Sequence, residues 1–250
     1  MSSHHAHGQN ITVAVRVRPL TQKEVSRGAS ACLEVEGTQI RCDDPDDKQV
    51  ESLGGHKVTD YLRLDKTKDR AYAFDHAIAP EVGQSETFDL TTAALVPDVL
   101  SGKNACCFAY GATGSGKTFT MSGSRQAPGL IPLAVDAIFA GAGDCEVLMQ
   151  YVEIYNEQIK DLLNPKNGNL DVREAPGKGT YVAGAANVEV TKREDVELLL
   201  EAGNAYRTTE STQLNVVSSR SHAVLQVPSP GRSLASCAVS LTVRVLHHSC

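Results

Sequence analysis

The chain has 250 residues, enough for one domain with a sizeable core, and its 41% hydrophobic and 22% charged residues are typical of a soluble globular protein. Its net charge of -6 argues against a general nucleic-acid binder, no apolar run is long enough to span a membrane, and the start lacks the apolar core of a signal peptide. Seven cysteines, an odd number without a C-x-x-C pair, indicate reduced thiols of the cytosol or nucleus rather than a disulfide framework or a zinc site.

The first part of the chain mixes short strands with polar loops. Residues 1–10 are predicted to be disordered, although three histidines there could bind a metal. Residues 11–17 alternate and are β-branched, which predicts a strand. Arg16 and Arg18 share one face at its end, and Pro19 terminates it. Further short strands are predicted at 31–36, 57–62 and 71–74.

The middle of the chain begins with a helix predicted over 84–100, kinked by Pro97 and ended by Gly102. The short apolar run 105–110 then predicts a strand. Helical pattern resumes at Phe119, directly after a glycine-rich stretch.

That stretch, GATGSGKT, fits the phosphate-loop pattern G-x-x-x-x-G-K-[ST] at every fixed position. Its glycines let the backbone bend so that successive N–H groups point at phosphate oxygens. Lys117 brings a positive charge to the β- and γ-phosphates, and the Thr118 hydroxyl is a hard oxygen ligand for Mg²⁺. The alternative is a glycine-rich turn before an ordinary helix. We predict nucleotide-phosphate binding by Gly111, Ala112, Thr113, Gly114, Ser115, Gly116, Lys117 and Thr118.

Beyond the phosphate loop, helical and strand patterns alternate. Helices are predicted over 129–141, 156–163 and 191–203, and strands over 145–154, 170–173 and 180–189. The second of these helices stops at Asn164-Pro165. The third begins with a capping box of Thr191 and Glu194 and ends at Gly203. The alternation indicates a central α/β sheet with helices on both faces.

A second polar cluster, NVVSSRSH at 215–222, precedes the apolar run 223–227. It could be an ordinary polar turn leading into a strand. It could also be a γ-phosphate sensor, in which hydroxyls hold Mg²⁺ and its waters and Arg220 pairs with an acidic partner. The phosphate loop elsewhere in the chain favours the sensor.

Four segments resemble the motor domain of kinesins: RVRP at 16–19, FAYGATGSGKTFTM at 108–121, YVEIYNEQIKDLL at 151–163 and NVVSSRSH at 215–222. They occur in the family's order and cover residues 11–227. The stretches DPDD at 44–47, LLNP at 162–165, VAG at 182–184 and SRSHAVLQV at 219–227 most resemble the eighth kinesin class, whose members walk to plus ends and can shorten microtubules.

The resemblance implies a kinesin-type α/β P-loop fold with a central mixed sheet. It also implies ATP or ADP with Mg²⁺ as cofactors, and ATP hydrolysis coupled to movement on microtubules. The implied partners are tubulin and microtubules, with no nucleic acid and no membrane, and the implied location is the cytoplasm, on the cytoskeleton.

Residue roles follow from the same resemblance. Arg16 and Pro19 would flank the adenine, with Arg18 between them, and Phe119 would stack on it. The first switch would be formed by Asn215, Ser218, Ser219 and Arg220, which are the candidate catalytic residues. Ser219 would share Mg²⁺ with Thr118. Lys178 could contact tubulin, or it could be an ordinary solvated lysine.

The chain departs from the family after the first switch. Kinesins continue with a strand that ends in D-x-x-G-x-E, whose Glu pairs with the Arg matched here by Arg220. This chain has no Asp or Glu after Glu210. We therefore expect a partial motor domain at 11–227, cut short before the second switch, and a divergent tail at 228–250. A splice variant or an incomplete gene model would give this pattern.

Three functions remain open at this point. The first is a motor domain with impaired or absent ATPase. The second is a non-catalytic fragment that binds nucleotide or tubulin. The third is another P-loop enzyme, for which Glu153 is the one available carboxylate on a central strand.

The tail itself has a strand pattern, since residues 236–246 alternate between apolar and polar types. Turn residues at 228–231 would let it double back antiparallel to 221–227. It would then lie beside strand 105–110, in place of the family's missing strand, and would end at His247-His248. Arg244 is the residue that fits such a central strand least.

Overall fold

The computed structural model describes residues 11–42, 70–142, 147–176, 179–212, 221–229 and 239–247, with side chains described as far as Arg207. The chain divides into two compact units, Met1–Val82 and Gly83–Cys250. Three sequence predictions, the disordered residues 1–10, the strand at 57–62 and the tubulin contact of Lys178, lie outside the described residues.

The first unit consists of short strands and one capped helical turn. Strand β1 (Ala14–Arg16) pairs in parallel with β5 (His76–Ile78). Strands β2 (Leu33–Glu36), β3 (Gln39–Cys42) and β4 (Arg70–Ala73) form an antiparallel sheet in that order. Helix α1 (Gln22–Ser26) begins at a capping box between Thr21 and Glu24. The strands predicted at 11–17, 31–36 and 71–74 are confirmed within these bounds.

The described residues of the second unit form five α-helices, a short 3-10 helix (Pro165–Asn167) and eight strands. The helices are α2 (Gln84–Thr91), α3 (Leu95–Leu100), α4 (Lys117–Met121), α5 (Leu130–Ala142) and α6 (Arg193–Thr212). The strands are β6 (Ala105–Gly111), β7 (Val147–Tyr155), β8 (Gln158–Asp161), β9 (Asn169–Ala175), β10 (Gly179–Ala183), β11 (Val188–Val190), β12 (Ser221–Ser229) and β13 (Val239–His247).

These strands form one mixed sheet in the order β10-β9-β8-β7-β12-β13-β6, with β11 added to β7. Neighbouring strands are antiparallel, except that β13 and β6 run parallel. The predicted mixed α/β sheet is therefore confirmed, and β6 carries the phosphate loop at its carboxyl end.

The tail strand β13 lies between β6 and β12, as the sequence predicts. It pairs antiparallel with β12, with Ala223 opposite Val245, and parallel with β6, with His247 beside Gly111. The predicted turn at 228–231 is partly wrong, because Pro228 and Ser229 still belong to β12. A proline near a strand end removes only one ladder donor, so the pairing tolerates it there.

The main core lies on one face of this sheet. Buried residues of α3, α4, α5 and α6 pack there against Val147, Met149 and Tyr151 of β7, with Cys107 of β6 at its margin. On the other face, Phe108 of β6 is 58% exposed. In the described part of the unit, the core helices all pack on one face of the sheet. The prediction of helices on both faces of the sheet is therefore not confirmed there.

The helix predicted over 84–100 is two helices, and the break does not fall at Pro97. Helix α2 ends at Thr91 and α3 begins at Leu95, so Pro97 sits in the first turn of the second helix. A continuous helix would place the proline ring against the carbonyl of Ala93. In the first turn a proline costs nothing, because its missing N–H would have no helical partner.

The helix predicted over 156–163 is wrong, because β7 and β8 form a hairpin there. Tyr155 pairs with Gln158, which leaves the two-residue turn Asn156-Glu157. Both turn residues have positive φ, 48° and 62°, as type I′ hairpin turns require. Asparagine tolerates this conformation better than most residues.

The predicted helix 191–203 is longer and is capped by a different residue. Asp195, not Glu194, accepts bonds from the N–H and hydroxyl of Thr191 and from the N–H of Lys192, and these bonds lower the pKa of Asp195. Gly203 lies inside α6, where a Cβ would come within 2.6 Å of the Tyr151 ring. Glycine is therefore needed there for close packing on β7 rather than to end the helix.

A buried aspartate anchors the loop after β8. Asp161 is 1% exposed and accepts four hydrogen bonds. Its Oδ1 accepts from the N–H groups of Leu163 and Asn164, and its Oδ2 from the Asn167 amide and the Ala186 N–H. Each carboxylate oxygen accepts two hydrogen bonds. An NH₂ group in place of either oxygen would therefore face two donors and could accept from neither.

We expect Asp161→Asn to lower the free energy of unfolding by about 2–4 kcal/mol, because either orientation of the amide leaves buried donors unpaired. Exposed Asp171, on β9, provides the matched control, and Asp171→Asn should change stability by less than about 0.5 kcal/mol. Urea unfolding followed by circular dichroism measures both. Equal effects of the two substitutions would contradict this role of Asp161.

Candidate nucleotide-binding site

The phosphate loop connects the end of β6 to the start of α4, as the sequence predicts. Gly111, Gly114 and Gly116 all have positive φ, of 155°, 82° and 92°. At Gly111, a Cβ would lie 2.8 Å from the hydroxyl oxygen of Ser115. The glycines of the phosphate-loop pattern are thus required by the backbone conformation and by the close approach of Ser115.

Lys117 is folded back into this loop. It is 6% exposed, and its Nζ donates to the carbonyls of Gly111 at 2.8 Å and Ala112 at 2.7 Å. Burial lowers the pKa of Lys117. A nearly buried ammonium group whose described bonds go to neutral carbonyls favours an anion, which can offer it a compensating charge.

Most other predicted members of the loop face solvent. Exposed residues are Ala112, Thr113, Gly114, Ser115 and Thr118. The Thr118 side chain is accessible for a metal or phosphate ligand. Loop conformation, Lys117 and Thr118 together fit a Mg²⁺-nucleotide phosphate chain.

Phe119 follows Thr118 in α4, and its side chain is 48% exposed. Its backbone carbonyl accepts a hydrogen bond from Nε2 of Gln84, the first residue of α2, at 2.5 Å. The sequence reasoning did not select Gln84, because 35 residues separate it from Phe119 and it belongs to no motif of the phosphate loop. A glutamine at the start of an otherwise weakly apolar helix was the only signal available.

The predicted adenine contacts Arg16, Arg18 and Pro19 belong to the first unit. Arg16 donates to the Val82 carbonyl at 3.2 Å, and burial lowers the pKa of its guanidinium. Arg18 binds both carboxylate oxygens of Glu24, which also caps α1. The hydrogen bond from Arg18 is the largest cause of a Glu24 pKa of about 2. Both arginines therefore have structural partners within their own unit.

The predicted switch residues Asn215, Ser218, Ser219 and Arg220 lie outside the described residues. They remain predictions, together with the Mg²⁺ ligand role of Ser219.

Glu153, the carboxylate on which the third alternative rests, has a different partner. It is 7% exposed on β7, and its Oε1 lies 3.0 Å from Nε of Arg207 on α6. Strands β12 and β13 separate it from β6, which amounts to three strand spacings, or about 14 Å. A buried, paired carboxylate at that distance does not serve the phosphate loop.

Within the described residues, no helix is long and apolar enough to cross a membrane.

A family model described as the kinesin motor domain matches residues 16–235. Three similar curated proteins illustrate the relationship. Kinesin-like protein KIN-8A of Oryza sativa subsp. japonica is 38% identical over 235 residues, covering 92% of this chain and 29% of that protein. KIN-8B of Arabidopsis thaliana is 40% identical over 225 residues, covering 87% and 26%. KIF19 of Homo sapiens is 38% identical over 236 residues, covering 90% and 22%.

The predicted resemblance to kinesins, and to the eighth class among them, is thereby confirmed. The chain spans between 22% and 29% of the length of these three relatives.

Proposed function

Because the chain belongs to the kinesin family, whose motor domain it matches over residues 16–235, we propose that it binds Mg-ATP and Mg-ADP through residues 111–118. One observation carries this proposal most directly. Lys117 is nearly buried in a loop whose conformation requires glycines, and the described hydrogen bonds of its ammonium group go to two backbone carbonyls. A phosphate chain would replace these carbonyls with charged acceptors.

Different residues of the loop would bind different parts of the ligand. Backbone N–H groups of the loop and the Lys117 ammonium would hold the phosphates, while the Thr118 hydroxyl would hold Mg²⁺, and Ser219 would join it. The metal would supply charge neutralisation for phosphoryl transfer. Phe119 would lie against the base, and the family resemblance implies further base contacts for Arg16, Arg18 and Pro19. The first switch, Asn215, Ser218, Ser219 and Arg220, would close over the terminal phosphate.

Movement on microtubules is the activity that family membership implies, and we propose that this 250-residue chain performs it poorly or not at all. Arg220 has no acidic residue after it in the sequence, since Glu210 is the last Asp or Glu. Strand β13 ends at His247, beside Gly111 in register, where the family resemblance places an Asp. Pre-organised charge around the terminal phosphate provides much of the catalysis in such enzymes.

The expected result in a steady-state assay of this 250-residue chain is therefore a low ATPase rate that microtubules raise by less than about twofold, because these residues contain no Asp or Glu after Arg220 to pair with it. Lys117→Ala, measured in parallel, gives the background from contaminating enzymes. Stimulation of several-fold by microtubules, absent in Lys117→Ala, would contradict the proposed impairment.

A second candidate function is a non-catalytic module that binds nucleotide or tubulin on microtubules in the cytoplasm. The observation that argues against catalysis also favours this module. Strand β13 pairs with β6 in the sheet but supplies no carboxylate beside the phosphate loop. Co-sedimentation with microtubules distinguishes the two binding modes. If the chain pellets with microtubules but its hydrolysis is not stimulated, it is a tubulin-binding module. If the chain stays in the supernatant, the module binds nucleotide and not tubulin.

A further inference from the structure

The short helix α4 ends soon after the phosphate loop and leaves a carbonyl in need of a donor. Its five residues, Lys117–Met121, make one turn, so its last carbonyls lack the usual partners four residues on. The N–H of Gly123, which a continuing helix would direct at Phe119, donates instead to Thr118 at 3.3 Å. The Phe119 carbonyl is met by the side-chain amide of Gln84.

Gln84 is well suited to hold that carbonyl in place. Its side chain is only 6% exposed, although amide side chains are usually solvated. It is the first residue of α2, whose own first turn is stabilised by bonds from the N–H and hydroxyl of Thr87 to the Gly83 carbonyl. A buried amide at the first position of a hydrogen-bonded helical turn has little freedom to move.

The hydrogen bond therefore connects two elements that are far apart in sequence. Helix α2 packs on α5 in the main core, through Phe88 at its margin. The contact at Phe119 lies directly after Lys117 and Thr118, the two residues that we propose to bind the phosphates and the metal. The backbone of Phe119 is thus fixed by the core, while its ring remains about half exposed.

We propose that Gln84 is a positioning residue that fixes the Phe119 backbone and so presents the Phe119 ring to the base of a bound nucleotide. The inference rests on the proposed nucleotide binding at residues 111–118. It adds a specific consequence: Gln84 contributes to recognition of the base, whereas Lys117 contributes to recognition of the phosphates.

The test separates these two parts of the ligand. Mg-ADP carries a base and phosphates, while inorganic tripolyphosphate with Mg²⁺ carries phosphates alone. Isothermal titration calorimetry gives the affinity of each probe for the wild-type chain, Gln84→Met and Gln126→Met. The methionine in Gln84→Met has the same length as glutamine but cannot donate, and exposed Gln126 provides the matched control.

We expect Gln84→Met to weaken Mg-ADP binding about tenfold, the size of a lost stacking contact with one base, and to change tripolyphosphate binding by less than about twofold. Gln126→Met should change neither. Phe119→Ala should cause a similar loss for Mg-ADP, and the Gln84→Met/Phe119→Ala double variant should be no weaker than Phe119→Ala alone, because the two residues act through one ring.

Several outcomes would overturn the inference. They are an equal loss of both probes in Gln84→Met, an unchanged affinity for Mg-ADP, or additive losses in the double variant. If Gln84→Met does not fold, Gln84→Leu replaces it, because leucine also lacks a donor and places no charge against the Phe119 carbonyl. Failure of the wild-type chain to bind either probe would instead overturn the proposed function. Normal binding of both probes with no selective effect at Gln84 would overturn this inference alone.

Discussion

Lys117→Ala is expected to weaken binding of Mg-ADP at least 100-fold, which corresponds to about 3 kcal/mol. Lys117 is nearly buried as a residue, and its ammonium group is held within the loop by the carbonyls of Gly111 and Ala112, where a bound phosphate would pair with it directly. Removing one partner of a buried charge pair costs about 2–5 kcal/mol, because the other charge is left uncompensated. Titration with a fluorescent ADP analogue measures the change.

Two controls separate binding from folding. Lys166→Ala removes an exposed lysine far along the chain and should leave the affinity unchanged. Thermal unfolding of Lys117→Ala, followed by circular dichroism, reports whether loss of the bonds to Gly111 and Ala112 disturbs the loop or the whole unit. A folded Lys117→Ala chain with wild-type affinity would show that phosphates bind elsewhere.

The second large effect is expected in the tail strand. Strand β13 lies inside the sheet, paired on both sides, so Val243→Pro would remove a ladder donor and introduce a steric clash at its centre. We expect a loss of about 3 kcal/mol or more of unfolding free energy, or loss of the cooperative transition. Ala235→Pro, placed before the strand, should have a much smaller effect.

Hydrogen exchange locates this effect in the structure. In the wild-type chain, slow exchange is expected across 240–246 and at the alternate N–H groups of β6 that face β13, its one partner strand in the described part of the chain. Val243→Pro should speed exchange in both strands and leave the β9–β10 hairpin protected. Exchange at random-coil rates across 240–246 in the wild-type chain would contradict the pairing of the tail.

The parts of the fold that the sequence predicts well are those with strong local signals. The phosphate loop is specified by two glycines, a lysine and a threonine at fixed spacing, and the tail strand by alternation of apolar and polar residues next to an incomplete sheet. The position of β13 could be predicted because a buried sheet with an empty strand position leaves many backbone groups unpaired.

The wrong predictions fall where two local sequence signals favour different secondary structures, or where tertiary packing determines the role of a residue. The YNEQ turn of the β7–β8 hairpin lacks the usual glycine, so the sequence gives no clear turn signal and a helix is predicted over 156–163. The structure instead places Asn156 and Glu157 at positive φ. The sequence predicts a helix end at Gly203, whereas its lack of a side chain allows close contact with Tyr151. Such a contact joins residues 52 positions apart and leaves no local trace.

The candidate site shows the same contrast between residues with a local sequence pattern and residues whose role depends on tertiary structure. Residues 111–118 were identified from their own pattern, and their geometry follows from that pattern. Gln84 was missed because its role depends on where α4 ends and on which carbonyl is left without a helical partner. Neither fact can be read from the residues around position 84.

The most direct test of the central claim, that residues 111–118 bind Mg²⁺-nucleotide, is calorimetric titration of the purified 250-residue chain with ADP in the presence and absence of Mg²⁺. We predict saturable binding of one nucleotide per chain, strengthened by Mg²⁺ and displaced by inorganic tripolyphosphate, because the site recognises the phosphates and the metal together. Absence of saturable binding by a folded chain, or binding that tripolyphosphate does not displace, would contradict the claim.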